Sequence, residues 1–467
     1  MQKNIPRVLI SADRSSSGKT VITMGILSAL VKKGLKVQSF KVGLDYIDPS
    51  YHSKITERHS KNLDGYLMDE DEVLTIFSHA CDGVDLAIIE GVRGLYEGFE
   101  SLKDTGSTAQ IAKILKCPVI LVVDAKSITR SASALVMGYK TFDPEVDIQG
   151  VILNNIGSER HAKKAKEAIE HYTDIKVIGT IPRNSYMKMP MRHLGLVPSI
   201  ENESINSEFK TNIKPLCKFV SDAVDIKKVL EISKIGKARI FPKNTIYPNQ
   251  KKLKVTIGVA LDEAFNFYYQ DNIELLKLHG AEIKYFSPIH DAKIPKVDAL
   301  YIGGGFPEFF AKELEANKSI RQDIKKKSKA GLPIYAECGG LMYLIKKLTN
   351  GDDTYDMVGV LPGIAFFRDK RIVSYTIGSF IKDSIIGSVK NNDTFKGHEF
   401  HAFEIKDIPN DAKFSIKLSR GIGIKDGFDG LTVNNTIGLY THLHAVSYKP
   451  FAKYFVESSL KYNKKSA

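Results

Sequence analysis

Cysteine is scarce in this chain, and long apolar runs are missing. Four cysteines, Cys81, Cys117, Cys217 and Cys338, are spread over 467 residues and form no Cys-x-x-Cys pair. That spacing excludes a zinc ribbon or a disulfide framework and fits a reducing compartment. No stretch approaches the ~18 consecutive apolar residues of a membrane-spanning helix, so no membrane partner is expected. The start, Met1-Gln2-Lys3-Asn4-Ile5-Pro6, runs straight into Val8-Leu9-Ile10 without the apolar core of a secretion signal. A cytoplasmic protein is the expectation. Acidic residues are in deficit, leaving a formal net charge of +13. Much of the excess lies in residues 227–254 and in the tail Lys461-Tyr462-Asn463-Lys464-Lys465. No helix-turn-helix, zinc-finger or aromatic RNA-binding signature accompanies it, so nucleic acid is not expected. A solvated basic surface attracting small polyanions is.

What is present is alternation. In the first half, short apolar runs at 7–11, 37–41, 86–90, 119–124, 150–154 and 176–180 predict strands. Helical patterns fall between them, for example at 19–33, 107–115 and 160–171. Continuous Val/Ile/Leu strands alternating with helices predict an α/β fold with a parallel sheet covered on both faces. Around 236–252 the pattern breaks into a basic, proline-punctuated stretch, including Ile240-Phe241-Pro242-Lys243-Asn244 and Tyr247-Pro248-Asn249, which predicts a linker. A second alternating series follows, with strands at 255–260, 283–286, 299–302 and 332–337 and a helix at 272–279. From about 358 the segments are expected to shorten and alternate as an antiparallel extension. The expected domains are therefore 1–235 and 253–460.

Between the first strand and the first helix stands Ser11-Ala12-Asp13-Arg14-Ser15-Ser16-Ser17-Gly18-Lys19-Thr20. Strand, small-residue loop and helix are the context of a P-loop, in which backbone N–H groups turn inward around phosphates at a helix N-terminus. Ser15, Ser16, Ser17 and Gly18 would cradle ATP, Lys19 would reach its β- and γ-phosphates, and Thr20 would place its hydroxyl on Mg²⁺. Asp13 stands where the pattern has its first glycine. Acids at strand ends, namely Asp45, Asp48 and Glu90, lie on the edge where open parallel sheets bind ligands; Asp48 and Glu90 are the expected metal partners of Thr20.

In the second half, Leu332-Pro333-Ile334-Tyr335-Ala336-Glu337-Cys338-Gly339-Gly340-Leu341-Met342 is a strand, a cysteine, two glycines and a helix. That is a nucleophile elbow, and the helix N-terminus is expected to lower the thiol pKa. Gly303-Gly304-Gly305 follows a strand, and the amides of Gly304, Gly305 and Gly339 are candidate oxyanion donors. The base is sought in Tyr440-Thr441-His442-Leu443-His444, with His442 preferred and His444 the competitor. Lys396-Gly397-His398-Glu399-Phe400-His401 spaces its histidines three apart, against the four that His-Glu-x-x-His zinc ligation requires, so metal is not expected there and a binding or structural role near the glutaminase site is.

These blocks together resemble the cobyrinate a,c-diamide synthase family over nearly the whole chain. The residues that carry the likeness are the P-loop, the segments 41–49 and 90–98, Asn62-Leu63-Asp64, Met191-Arg192-His193-Leu194-Gly195-Leu196, the segment 262–269 and the elbow 336–342. The resemblance implies a dethiobiotin-synthetase-like P-loop domain followed by a class I glutamine amidotransferase domain. It implies ATP-dependent amidation of the a and c carboxylates of a tetrapyrrole, with glutamine as nitrogen donor. It assigns Cys338 as nucleophile and His442 as its base, and puts Asp45, Tyr46 and Glu97 in the substrate and acyl-phosphate region. Two departures stand out. Many class I glutaminases carry a glutamate two residues after the histidine, where this chain has His444. The family often shows Pro, Met and Asp where this chain has Leu44, Arg93 and Glu97, so cobyrinate and Ni-sirohydrochlorin both stand as implied acceptors. Alternatives are amidation of other corrin side chains, as in cobyric acid synthase, and a P-loop ATPase switch that amidates nothing.

Overall fold

The computed structural model describes residues 2–183, 191–192, 195–196, 199–200 and 208–466. The chain divides into two compact units, Met1–Thr245 and Ile246–Ala467. Of the block 191–196, His193 and Leu194 lie outside the described residues.

The first unit is built on a seven-stranded parallel sheet in the order Lys61–Leu63, Val37–Val42, Leu86–Glu90, Arg7–Ala12, Val119–Asp124, Ile148–Ile156, Lys176–Pro182. Every residue of Arg7–Ala12, Val37–Val42 and Leu86–Glu90 is buried, because helices cover both faces; hence the unbroken apolar runs in the sequence. All six strands expected here are present, up to two residues longer at an end. The helix expected from 107 begins at Thr108, since Ser107 is its N-cap and its Oγ accepts the Gln110 amide at 3.1 Å. From Arg7–Ala12 the chain crosses to Val37–Val42, two places away in the sheet, which opens a crevice at the C-terminal end of the first strand.

Part of the segment read as linker is docked on this unit. Arg239–Ile240 pairs antiparallel with Gln2–Lys3. The buried Arg7 guanidinium donates to the carbonyls of Leu115 at 2.7 Å, Ile5 at 2.8 Å, Lys116 at 3.1 Å and Lys237 at 2.5 Å.

The second unit holds a twelve-stranded mixed sheet. Its parallel part runs Ala281–Phe286, Val255–Ala260, Ala299–Ile302, Ile334–Glu337, Thr436–Leu439. Antiparallel strands continue it through Phe428–Val433, Lys413–Arg420 and Ile364–Phe380. The expected shortening after 358 fails for the first two strands and holds only from Lys413–Arg420 onward. Ile364–Phe380 has 17 residues and pairs antiparallel with Thr394–Lys406, of 13. Their register shifts between Phe367 and Ile372, where Arg368-Asp369-Lys370-Arg371 interrupts the apolar alternation and disguised one long strand as short ones. Among the described residues no helix is long and apolar enough to cross a membrane.

Candidate active sites

In the first unit, the strand Arg7–Ala12 leads through a tight loop into the helix Lys19–Lys32. Ser16 (φ 63°) and Gly18 (φ 91°) are left-handed, which turns successive amides to one side. The Asn154 amide donates to the Ser17 carbonyl at 2.9 Å, and a Cβ at position 18 would stand 2.4 Å from Asn154 Nδ2. Only glycine fits there. Asp13 is not left-handed, and its Oδ1 accepts from Ser17 Oγ at 2.5 Å, so a side chain closes the loop where the usual pattern has glycine. Ser15 and Ser16 face solvent; Ser17 is buried. Lys19 Nζ donates to the carbonyls of Arg14, at 3.3 Å, and Arg93. Burial, reinforced by the charge of Lys41, brings its pKa down to about 8 against the pull of Glu90, Asp48 and Asp13.

Behind the loop lies a buried cluster. Thr20 Oγ1 donates to Glu90 Oε1 at 2.8 Å and lies 3.2 Å from Asp48 Oδ2. Lys41 Nζ sits 2.5 Å from Asp48 Oδ2, 2.7 Å from Glu90 Oε1 and 3.9 Å from Asp45 Oδ2. His52 Nε2 is 2.8 Å from Glu90 Oε2. Burial opposes the charge on Lys41, but Asp48, Glu90 and Asp45 outweigh it and hold its pKa above the usual lysine range. Glu90 likewise stays ionised against its burial, through Lys41 and His52, whereas burial and the neighbouring Asp45 push Asp48 up. Asp45 Oδ1 also accepts the amides of Ile47 at 2.8 Å and Asp48 at 3.1 Å, which starts the helix Ile47–Thr56 and aims Asp48 inward. Tyr46 is buried beside it. Glu97 is exposed and its carboxylate lies over Gly94, where a Cβ would meet Glu97 Oε2 at 1.9 Å; it is not part of the cluster.

Among the described residues no group of three or more His, Cys, Asp or Glu side chains forms a metal cage. A hydroxyl and two carboxylates converging beside a phosphate loop are nevertheless the hard oxygen set that suits Mg²⁺, which takes one or two protein carboxylates and completes its shell with phosphate and water.

In the second unit, Cys338 ends the strand Ile334–Glu337 and caps the helix Gly339–Leu344 with φ 48° and ψ −103°. A non-glycine residue held there is strained, and the surrounding structure enforces it: Cys338 N donates to Leu439 O at 2.7 Å on the adjacent parallel strand, and Cys338 O accepts from Met342 N at 3.0 Å. The thiol points to the Phe400 carbonyl, Sγ to O 3.6 Å. The glycine turn lies alongside. An ideal Cβ on Gly339 would sit 3.1 Å from Gly305 N, and one on Gly304 would sit 2.7 Å from His442 Cε1. The turn therefore touches both the elbow and the histidine. Gly303 N is committed to Tyr268 Oη at 2.8 Å, so Gly303 is not an oxyanion donor, whereas Gly304, Gly305 and Gly339 are grouped.

His442 and Leu443 form a two-residue strand in register with His398 and Gly397. The His398 and His442 rings stack at 4.8 Å. His444 turns to another set of groups: Nε2 is 3.6 Å from Asp271 Oδ2, and Nδ1 accepts from Val446 N at 3.3 Å. Burial, with a further push from His401, lowers His442 to about 3, so it is neutral at rest. Burial also pushes the Cys338 thiol up, aided by the carboxylates of Glu308, Glu337 and Glu399. The expected lowering by the helix N-terminus is overturned: a helix of six residues is outweighed by desolvation. At rest, then, Cys338 is a neutral thiol and His442 a neutral imidazole.

A nucleotide-binding domain described as CobQ/CobB/MinD/ParA matches residues 8–197, and a CobB/CobQ-like glutamine amidotransferase domain matches residues 256–450. A cobyrinate a,c-diamide synthase of Methanosarcina barkeri is 58% identical, covering 98% of this chain and 96% of the relative. The chain belongs to the cobyrinate a,c-diamide synthase family. A family member from Archaeoglobus fulgidus is 41% identical over 98% of both chains, and one from Listeria innocua 43% identical over 94% of this chain and 96% of the relative. The glutamine amidotransferase domain leaves a stand-alone ATPase switch without a place. Against the family pattern, Arg93 is left-handed at φ 51° and supplies the carbonyl that holds Lys19, so this departure sits on the phosphate side.

Several site groups were not singled out from the sequence. Lys41 and His52 lie inside or near the quoted 41–49 block, but a buried lysine at a strand end has no one-dimensional signature. Glu337 is the immediate neighbour of Cys338, yet its partners come from residues 301, 335 and 443. His398 belongs to the segment 396–401, for which a binding or structural role near the glutaminase site is expected without a residue being named; strand pairing places it on His442.

Proposed function

We propose that this chain makes amides from the a and c side-chain carboxylates of cobyrinate, using ATP for activation and glutamine as the nitrogen donor. The observation that carries the reading is the strained Cys338 elbow, in a chain whose other unit holds a phosphate loop. Ser15, Ser16, Ser17 and Gly18 surround the triphosphate, and Lys19 binds its terminal phosphates. Thr20, Asp48 and Glu90 would hold Mg²⁺, which when bound neutralises charge on the transferring phosphoryl group. Lys41 keeps Asp48 and Glu90 in place, and Asp45 and Tyr46 border the acceptor carboxylate, with Glu97 at the outer edge. A carboxylate oxygen takes the γ-phosphoryl group from ATP, giving an acyl phosphate and ADP.

In the second unit His442 takes the thiol proton as sulfur attacks the glutamine side-chain carbonyl, and the amides of Gly304, Gly305 and Gly339 receive the developing oxyanion. The proton passes to the departing nitrogen, the C–N bond breaks and ammonia leaves. Water then hydrolyses the thioester to glutamate. Ammonia attacks the acyl phosphate, phosphate departs and the amide remains. A neutral thiol–imidazole pair suits this sequence, because proton transfer accompanies attack and no thiolate needs to be stored in a buried pocket.

The test is to incubate the protein with ATP, Mg²⁺, glutamine and either cobyrinate or Ni-sirohydrochlorin, and to locate new amides by fragmentation mass spectrometry. A diamide at a and c of cobyrinate is expected. Amides at other positions would favour the cobyric acid synthase alternative, and turnover of the nickel compound alone would replace the substrate. Cys338→Ala is expected to abolish glutamine-driven turnover and retain turnover with added ammonia.

A further inference from the structure

A histidine that accepts a proton becomes a cation, and a buried cation needs a partner. A carboxylate stands beside His442: its Nδ1 lies 3.8 Å from Glu337 Oε2, and both side chains are almost fully buried. Glu337 Oε1 accepts from Tyr335 Oη and from Leu443 N at 3.0 Å, which occupies its two lone pairs. Oε2 accepts from Tyr301 Oη at 2.9 Å, and its second lone pair is left on the side of His442. The Leu443 bond also ties this carboxylate to the backbone of the residue after the histidine. We propose that Glu337 is the positioning carboxylate of the glutaminase site, orienting His442 through Nδ1 so that Nε2 serves as the proton acceptor for Cys338. It thereby takes the part for which the position of His444, turned toward Asp271, is unsuited.

The proposal rests on the reading of Cys338 and His442 as a nucleophile and its base. Its physical case is that all three donors to Glu337 are neutral. Burial pushes the carboxyl up to about 7 even with the help of Tyr335, Leu443 and Tyr301. Such a group is poorly compensated at rest and gains its counter-charge when the imidazolium forms during attack. A 3.8 Å separation is longer than a hydrogen bond, as catalytic contacts in resting enzymes commonly are. The titratable groups facing Glu337 are Tyr268, Tyr301, Tyr335, Cys338 and His442.

The experiment measures glutamine hydrolysis against pH in the full-length protein with ATP and acceptor present, for the parent chain, Cys338→Ala, Glu337→Gln and Tyr335→Phe, with circular dichroism reporting the fold. In the parent, kcat/KM should rise through a limb near pH 7 as Glu337 ionises. Glu337→Gln should lower kcat by roughly 10²- to 10⁴-fold with little change in the KM for glutamine, and the limb should vanish. Tyr335→Phe removes a donor that favours the carboxylate, so its limb should move up by roughly one pH unit with the plateau kept. This second variant decides the matter if Glu337→Gln does not fold. A folded Glu337→Gln enzyme with parental kcat and limb, or an unmoved limb in Tyr335→Phe, overturns the inference while leaving the glutaminase reading intact. Hydrolysis that survives in Cys338→Ala overturns both.

Discussion

Lys41 and Glu90 are register partners on adjacent parallel strands, and their side chains meet at 2.7 Å beneath the phosphate loop. This lysine is the counter-charge that lets two carboxylates sit under the nucleotide site. Lys41→Met leaves Asp48 and Glu90 buried without it and should destabilise the first unit by about 3–5 kcal/mol. Urea unfolding measures the loss, and turnover should fall with glutamine and with ammonia alike. Unchanged stability would mean that water reaches the cluster freely.

Lys19 is held at about 8 by burial and by Lys41, so near pH 8 a large share of it is uncharged. A triphosphate raises that pKa again, and binding must then draw protons from solution. The uptake should be about half a proton per ATP at pH 8 and should fade toward pH 6, where Lys19 is already charged. Calorimetry in two buffers of different ionisation enthalpy reads it directly. No buffer dependence would contradict the lowered value.

Since the Cys338 thiol is pushed up and His442 down, no stored ion pair exists at rest. Alkylation of Cys338 by iodoacetamide, followed by peptide mass spectrometry, should be slow and should climb with pH without a plateau between about pH 6 and pH 9. A flat, fast profile would instead mean a resting thiolate–imidazolium pair.

Gly304→Ala places a Cβ 2.7 Å from His442 Cε1 and 3.3 Å from Phe267 Cβ. The imidazole cannot give way easily, because it stacks on His398 at 4.8 Å. Displacing it should cost about 10²-fold or more in glutamine hydrolysis. Steady-state kinetics, compared with ammonia-driven turnover as a measure of the intact first unit, checks the effect.

Much of the molecule was legible in one dimension. Strands buried on both faces are largely apolar throughout, so the runs at 7–11, 86–90 and 119–124 declare a parallel sheet without help from contacts. A phosphate loop and a nucleophile elbow are equally local: Gly18-Lys19-Thr20 and Cys338-Gly339-Gly340 depend on the backbone conformation of consecutive residues. The long hairpin 364–406 escaped notice because four charged residues at its bulge interrupt the alternation that marks a strand.

By itself, then, the sequence determined the fold class, the phosphate loop, the cysteine elbow and the family, because each is written in the chemistry of neighbouring positions. Only the tertiary structure decided which charges meet. Lys41 meets Glu90 on the adjacent strand, Glu337 reaches His442 across more than a hundred residues, and His444 turns to Asp271. It also reversed the expected thiol pKa, since desolvation depends on everything packed around a group and local sequence records almost none of that.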